Sequence, residues 1–149
     1  MAADAPSVVD KHDLERFVRA QNDAGTYGRA LEELRAGRKE THWMWFVFPQ
    51  IEGLGKSEIA QRYAVRGTEE AERYLAHDVL GPRLREATGA VMQHRDKALK
   101  DIFWEPDDLK FRSSVTLFEA AGGGALFGEA LEAFCGGERD EKTLRRVSK

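Results

Sequence analysis

Cysteine is almost absent from this chain, since Cys135 is the only one among 149 residues. A single cysteine excludes an intrachain disulfide framework and a zinc site built on cysteines, because both need several thiols. Its setting in LEAFCGG is typical of a small buried side chain near a helix end. We therefore expect a domain that folds on its hydrophobic core alone, in a reducing cytoplasm.

Long apolar runs are also missing. The longest is far below the ~20 residues that cross a bilayer, so we expect no membrane-spanning segment and no membrane partner. The N-terminal MAADAPSVV is too short and too acidic for a signal peptide, which favours a cytoplasmic location. We interpret residues 1–11 as a flexible leader and residues 12–149 as one folded domain.

The chain has no overall excess of positive charge. Lysine and arginine number 23 against 26 acidic residues, which gives a net charge of −3. Nucleic acid is therefore the weakest partner hypothesis, because nothing in the overall balance would attract phosphates. The exception is the basic tail TLRRVSK.

Histidines are few and dispersed, at positions 12, 42, 77 and 94, and none are spaced four residues apart. That spacing is what a helical metal site would need. We therefore predict no metal and no cofactor.

Helical signals, by contrast, occupy most of the chain. Apolar residues recur at helical spacing in several segments, and strand-like alternation is scarce. Gly81-Pro82 should divide one long pattern into two helices, because proline fits a first turn and not a helix interior. The fold class that follows is all-α: a single compact domain of about seven to eight short to medium helices.

The segment THWMWFVFPQ, residues 41–50, is the most aromatic part of the chain. Pro49 must end any helix here, so we predict a short and almost wholly buried one. Trp43 and Trp45 are either core residues or the wall of a pocket with an indole N–H directed at a ligand. The flanking His42 and Gln50 are either surface residues or ligand-binding ones.

A Gly-Lys-Ser triplet follows at 55–57. Lys56 and Ser57 open the next predicted helix, and such a start can hold an anion through free N–H groups. The triplet is not a P-loop, because the first glycine of that motif and a preceding strand are both missing.

The segment FWEPDDLKFRSSVTLF, residues 103–118, is the second unusual stretch. A helix from about Asp107 would place that residue, Lys110 and Ser114 on one face. One interpretation is structural: Asp107 caps the helix, Asp108 is a first-turn acid, and Lys110 and Arg112 are solvated cations. The other is a polar pocket that includes Lys110, Ser113 and Ser114, since adjacent serines are mediocre helix formers.

The chain resembles the family known as domain of unknown function 1810. The resemblance runs from about Asp13 to Leu144 and rests on four ordered blocks: HWMWFVFPQIEGLGKSEIAQRYAV, EAERYLAHDVLGPRLRE, IFWEPDDLKFRSSVTLF and GERDEKTL. It implies a small, single-domain, mainly helical bacterial protein. One departure is Trp104, because the family pattern commonly has glycine after IF.

A more distant similarity to the NADAR superfamily implies a ligand of the ADP-ribose or N-glycosidic type. In that case Trp43 or Trp45 would cover a ring, and Lys56 and Lys110 would meet phosphate. Gln50, Ser113 and Ser114 would bind hydroxyls. Hydrolysis would also need a carboxylate to stabilise an oxocarbenium-like charge, and Asp107 and Asp108 are the candidates.

Two main hypotheses about function follow. The first is binding or hydrolysis of an ADP-ribose-like or other phosphorylated nucleotide or sugar in a pocket formed by segments 42–57 and 104–114. As an enzyme, the protein would be a hydrolase of an N-glycosidic or ADP-ribose-type bond. The alternative is a non-enzymatic protein-interaction domain, which would expose apolar surface beside these blocks.

Overall fold

The computed structural model describes residues 13–147, and the predicted leader at 1–11 lies outside that range. We number the α-helices in chain order: α1 Glu15–Asn22, α2 Thr26–Arg35, α3 Met44–Val47, α4 Glu58–Arg62, α5 Thr68–Ala76, α6 Leu80–Met92, α7 Leu99–Phe103, α8 Asp107–Ala120, α9 Ala125–Cys135 and α10 Glu141–Val147. A 3₁₀ turn, Asp23–Gly25, joins α1 to α2.

The all-α prediction is confirmed, and these helices form one domain. Extended pairing within residues 13–147 is limited to one isolated parallel bridge between Ile51 and Val65. No helix in this part of the chain is long and apolar enough to cross a membrane. Pro82 lies in the first turn of α6, as predicted, because the missing N–H is tolerated there.

Helix α8 lies at the centre of the domain and packs against α5, α7, α9 and α10. Its buried Phe111 ring contacts Phe48 and Phe103, with ring centroids 5.1 and 5.0 Å away. Fully burying such a ring contributes roughly 1.5–3 kcal/mol. The short helix α3 therefore docks through its apolar side chains, as THWMWFVFPQ predicts.

A buried ion pair fixes the start of the domain to the segment that follows α4. The Arg16 guanidinium donates to the carbonyl oxygens of Arg62 (2.8 Å) and Ala64 (2.7 Å) and to the Glu70 carboxylate (2.9 Å). Both charged side chains are almost fully buried. A buried ion pair is stable only when hydrogen bonds satisfy both charged groups. This pair therefore fixes helix α1, the end of α4 and helix α5 relative to one another.

Candidate functional site

A basic cleft lies between the loop after α3 and the C-terminal helix α10. Its cavity measures about 420 Å³ and is lined by six residues, four of which are cationic: Gly53, Leu54, Lys56, Lys142, Arg145 and Arg146. None of the six is acidic. In a protein with a net charge of −3, this is a local concentration of positive charge that composition alone conceals.

Helix α10 is positioned by its own N-terminal cap and by a contact to α8. The Asp140 carboxylate accepts hydrogen bonds from the backbone N–H (3.0 Å) and the hydroxyl (2.6 Å) of Thr143. The Asp140 N–H in turn donates to the Thr116 hydroxyl at 3.0 Å. Thr143 is fully buried, so this face of α10 is fixed and the opposite, basic face points outward.

A polar stripe on α8 holds the turn that precedes α10. Arg112 donates to the backbone carbonyls of Glu138 and Arg139, each at 3.1 Å. Glu119, two turns further along α8, accepts two hydrogen bonds from the Arg139 guanidinium at 2.9 and 2.6 Å. This bidentate pair raises the pKa of Arg139, through the Glu119 hydrogen bond first and its charge second.

The loop side of the cleft depends on Gly53. The bridge between Ile51 and Val65 fixes the loop's base, and Gly53 follows with φ +97°, a conformation that favours glycine. The guanidinium of Arg146 occupies the place that a Cβ at position 53 would need. The loop and α10 therefore touch through this contact, and a side chain at position 53 would displace the Arg146 guanidinium.

The two polar residues of the Gly-Lys-Ser triplet have different surroundings. The Ser57 hydroxyl caps α4 by accepting a hydrogen bond from the Ala60 N–H at 3.1 Å. Lys56 is exposed and extends into the basic cleft. Lys56, at the predicted anion site, therefore shares its cavity with three other cationic side chains, all of them from α10.

Only one of the four cleft cations forms an ion pair within the described residues. Arg145 forms an exposed ion pair with Glu141 at 3.2 Å. Within residues 13–147, Lys56, Lys142 and Arg146 form no ion pair. Like charges held this close repel one another, and a bound anion would remove that repulsion.

A second polar cluster joins the 36–43 loop to the start of α8. The Asp107 carboxylate lies between two lysines, 3.0 Å from Lys39 Nζ and 3.5 Å from Lys110 Nζ. Lys39 is buried and also donates to the Thr41 carbonyl at 2.6 Å. Lys110 lies 5.6 Å from the centroid of the Trp45 ring. Because both lysines pair with the Asp107 carboxylate, we interpret this cluster as a structural ion-pair network.

Glu33 organises the loop that leads to Trp43. Its carboxylate accepts hydrogen bonds from the N–H groups of Glu40 (2.8 Å) and Thr41 (3.0 Å), the Thr41 hydroxyl (2.7 Å) and the Trp43 indole (2.9 Å). Burial alone would raise the pKa of Glu33, but the hydrogen bonds outweigh it and hold that pKa below its usual range. The Trp43 N–H is thus used within the core.

The structure distributes the predicted ligand-binding residues over separate places. His42 is exposed, and Trp43 is fully buried. Trp45 and Gln50 line a slot of only about 10 Å³, which has room for about one water molecule. Segments 42–57 and 104–114 therefore do not enclose one large cavity that contains all of these side chains.

The remaining predicted residues lie on α8. Ser113 donates from its hydroxyl to the Leu109 carbonyl at 3.1 Å, within the helix. Ser114 is fully buried, and its hydroxyl has no hydrogen-bond partner among residues 13–147. Asp108 is half-buried in the first turn and accepts from the Leu109 N–H at 2.9 Å.

Three cleft residues, Lys142, Arg145 and Arg146, do not appear among the sequence-based site candidates. Arg145 and Arg146 belong to the basic tail TLRRVSK, which the sequence associates only with the nucleic-acid hypothesis, and Lys142 lies immediately before that tail. Cys135 is half-buried, and burial raises the pKa of its thiol, so it stays protonated and unreactive at neutral pH.

Comparison with known proteins identifies relatives without an assigned activity. No curated protein matches the chain. The crystal structure of the conserved hypothetical protein Rv1873 from Mycobacterium tuberculosis is similar, with 50% sequence identity and a TM-score of 0.90. The match covers 94% of this chain and 99% of that one. The model of the family described as "protein of unknown function (DUF1810)" matches residues 11–147, and the chain therefore belongs to the DUF1810 family.

Proposed function

We propose that this protein binds a phosphate-bearing small molecule in the basic cleft. One observation carries the proposal: in the described range, 13–147, four cationic side chains and no acidic one line a single cavity. They come from two segments that are far apart in sequence, so the fold itself assembles them.

The chemistry of the cleft suits phosphate. Arginine offers a planar set of N–H donors that matches phosphate oxygens, and lysine adds a compact charge. A cavity of about 420 Å³ is within the usual range for small-ligand sites. The ADP-ribose-like or nucleotide ligand implied by the distant similarity to the NADAR superfamily is one member of this ligand class.

Binding is better supported than hydrolysis at this place. Among residues 13–147, the cleft lining contains no carboxylate, histidine or serine that could act as a base or nucleophile. Asp107 and Asp108 lie at the start of α8 and are not among the residues that line the cleft. We therefore propose a binding protein, with the four cations as its ligand contacts.

Isothermal titration with pyrophosphate and with ADP-ribose tests the proposal. We expect saturable binding that weakens roughly threefold to tenfold in Lys56→Ala and in Arg146→Ala, because each removes about one charge contact. Lys100→Ala is the matched control, since Lys100 is an exposed lysine on α7 outside the cleft. Its affinity should equal that of the wild type.

Two results would contradict the proposal. One is the absence of binding of either ligand at millimolar concentration and low salt. The other is an equal loss of affinity in all three variants, which would show that only the overall charge matters.

Two exposed apolar side chains favour the interaction-domain alternative as a second candidate. Trp104, which precedes α8, is 54% exposed, and Leu109, in the first turn of α8, is 57% exposed. Sedimentation velocity over a wide concentration range tests the simplest form, self-association. Association that Leu109→Ser abolishes would support this candidate, and a monomer at all concentrations would remove its self-associating form.

A further inference from the structure

A second cavity adjoins the basic cleft along α10. It measures about 660 Å³, and Lys142 and Arg145 line both cavities. These two residues are three positions apart and therefore share one face of α10. They form a ridge with the basic cleft on one side and the second cavity on the other.

The second cavity differs from the first in its charge. Three carboxylate residues line it, Glu138, Asp140 and Glu141, in addition to its cations. The side chains of Glu138 and Glu141 are 78% and 80% exposed, so their oxygens are accessible to a ligand. Asp140 is committed to the cap of α10.

The two cations that line only the second cavity, Arg112 and Arg139, already have hydrogen-bond partners within the protein. Arg112 lies 3.7 Å from the Glu138 carboxylate and donates to two backbone carbonyls. Arg139 is held by Glu119 through two hydrogen bonds. A second phosphate would therefore meet exposed carboxylates and neutralised guanidinium groups here, which is unfavourable.

Exposed carboxylates suit a different chemical group. A carboxylate accepts hydrogen bonds from hydroxyl groups, as acidic residues do for ribose in dinucleotide sites. Leu144 adds an apolar side chain to the same lining, which can pack against the C–H face of a sugar ring. The pair of cavities is thus polarised: one side fits an anion, and the other fits a hydroxyl-bearing group.

We infer that the two cavities form one bipartite site for a phosphate ester of a polyhydroxylated group, such as a sugar phosphate. The phosphate lies in the basic cleft, and the hydroxyl groups donate to Glu138 and Glu141 across the Lys142–Arg145 ridge. This inference rests on the proposed function and specifies its ligand class.

A comparison of three probes tests the inference on the full-length chain: methyl phosphate, ribose 5-phosphate and pyrophosphate. Methyl phosphate is an ester of the same charge that carries no hydroxyl-bearing group. We expect ribose 5-phosphate to bind roughly fivefold or more tightly than methyl phosphate, because hydrogen bonds to carboxylates favour it. It should also bind more tightly than pyrophosphate.

Substitutions of the two exposed carboxylates test whether they cause the preference for ribose 5-phosphate over methyl phosphate. The double variant Glu138→Ala, Glu141→Ala should reduce the ratio of the two ester affinities to within about twofold. Its methyl phosphate affinity should stay the same or rise, since Arg145 loses its acidic partner. Glu72→Ala, which removes an exposed acid on α5, should keep the wild-type ratio. Because Glu138 and Glu141 are exposed, folding should be retained, and circular dichroism checks it.

The outcomes separate this inference from the proposed function. Equal affinities for the two esters would overturn the bipartite site and leave phosphate binding intact. Tightest binding of pyrophosphate would also overturn it, in favour of a polyanion site. Failure of all three probes to bind would overturn both. An unchanged ester ratio in the double variant would exclude these two carboxylates as the hydroxyl contacts.

Discussion

At the scale of single residues, Trp104 has a backbone conformation that favours glycine. Its φ is +67° with ψ 160°, a region that side chains with a Cβ rarely occupy. The family pattern commonly has glycine here, and this conformation is a physical reason for it. The tryptophan ring itself is half exposed and lies under the Arg38 guanidinium at 5.9 Å.

The strain at position 104 predicts an order of stability between two variants. Trp104→Gly should be more stable than Trp104→Ala by about 1 kcal/mol, because alanine keeps the unfavourable φ and glycine does not. For a chain of this size that difference corresponds to roughly 3 °C in melting temperature. Differential scanning calorimetry measures it. If the alanine variant melted at the higher temperature, position 104 would not be strained.

Glu33 is the other residue whose local role could be tested directly. Glu33→Gln should destabilise the fold by about 2 kcal/mol at pH 7, because a neutral amide oxygen accepts the three N–H donors more weakly than a carboxylate, and the NH₂ replaces the oxygen that accepts from the Thr41 hydroxyl. Chemical denaturation measures this loss. Thr41→Ala is the milder comparison, since it removes only one of the four hydrogen bonds.

The lowered pKa of Glu33 also predicts a pH dependence with a definite sign. A carboxyl whose folded pKa is depressed contributes stability above its unfolded pKa, about 4.3, and loses it as pH falls through the folded value. The stability gap between wild type and Glu33→Gln should therefore narrow as pH is lowered from about 5. A gap that stays constant down to about pH 2 would contradict this assignment.

At the scale of elements, the contact between the Gly53 loop and α10 forms the cleft. Gly53→Ala should destabilise the protein by about 1–3 kcal/mol, because alanine disfavours φ +97° and displaces the Arg146 guanidinium. It should also weaken pyrophosphate binding. Denaturation and titration of the same preparation measure both effects.

Gly28→Ala provides the matched control for this substitution. Gly28 is exposed in the first turn of α2, and no neighbouring side chain lies where its Cβ would be, so alanine should stabilise by up to about 1 kcal/mol. If both variants were equally destabilised, the special role of Gly53 would be refuted.

The elements themselves were largely predictable, because local patterns determine them. Pro49 follows the end of α3, Pro82 lies in the first turn of α6, and Asp140 caps α10. Helix α7 was not predicted, because it is as short as α4 but, unlike α4, has no side-chain cap to mark its start. The buried charges Glu33 and Lys39 were also missed, because their partners are identified only after the loops are folded.

At the scale of the whole molecule, the sequence identified one part of the cleft and not its assembly. Lys56 was predicted as an anion contact, but its cationic neighbours lie in the last helix, and no local spacing connects them. The net charge of −3 pointed away from nucleic acid as a partner but could not show a local basic cleft, because composition averages over the surface. Of the residues predicted to line a pocket at 42–57 and 104–114, Trp45 and Lys110 lie together, whereas Trp43 and Ser114 are buried in the core.

The most direct test of the central claim is an amide ¹H–¹⁵N titration of the full-length protein with pyrophosphate. A phosphate-binding cleft predicts saturable shifts that are largest for Gly53, Leu54, Lys56 and the residues of α10, and that vanish in the double variant Lys56→Ala, Arg146→Ala. Shifts that are scattered over basic residues elsewhere, or that never saturate, would contradict a phosphate-binding cleft at this place.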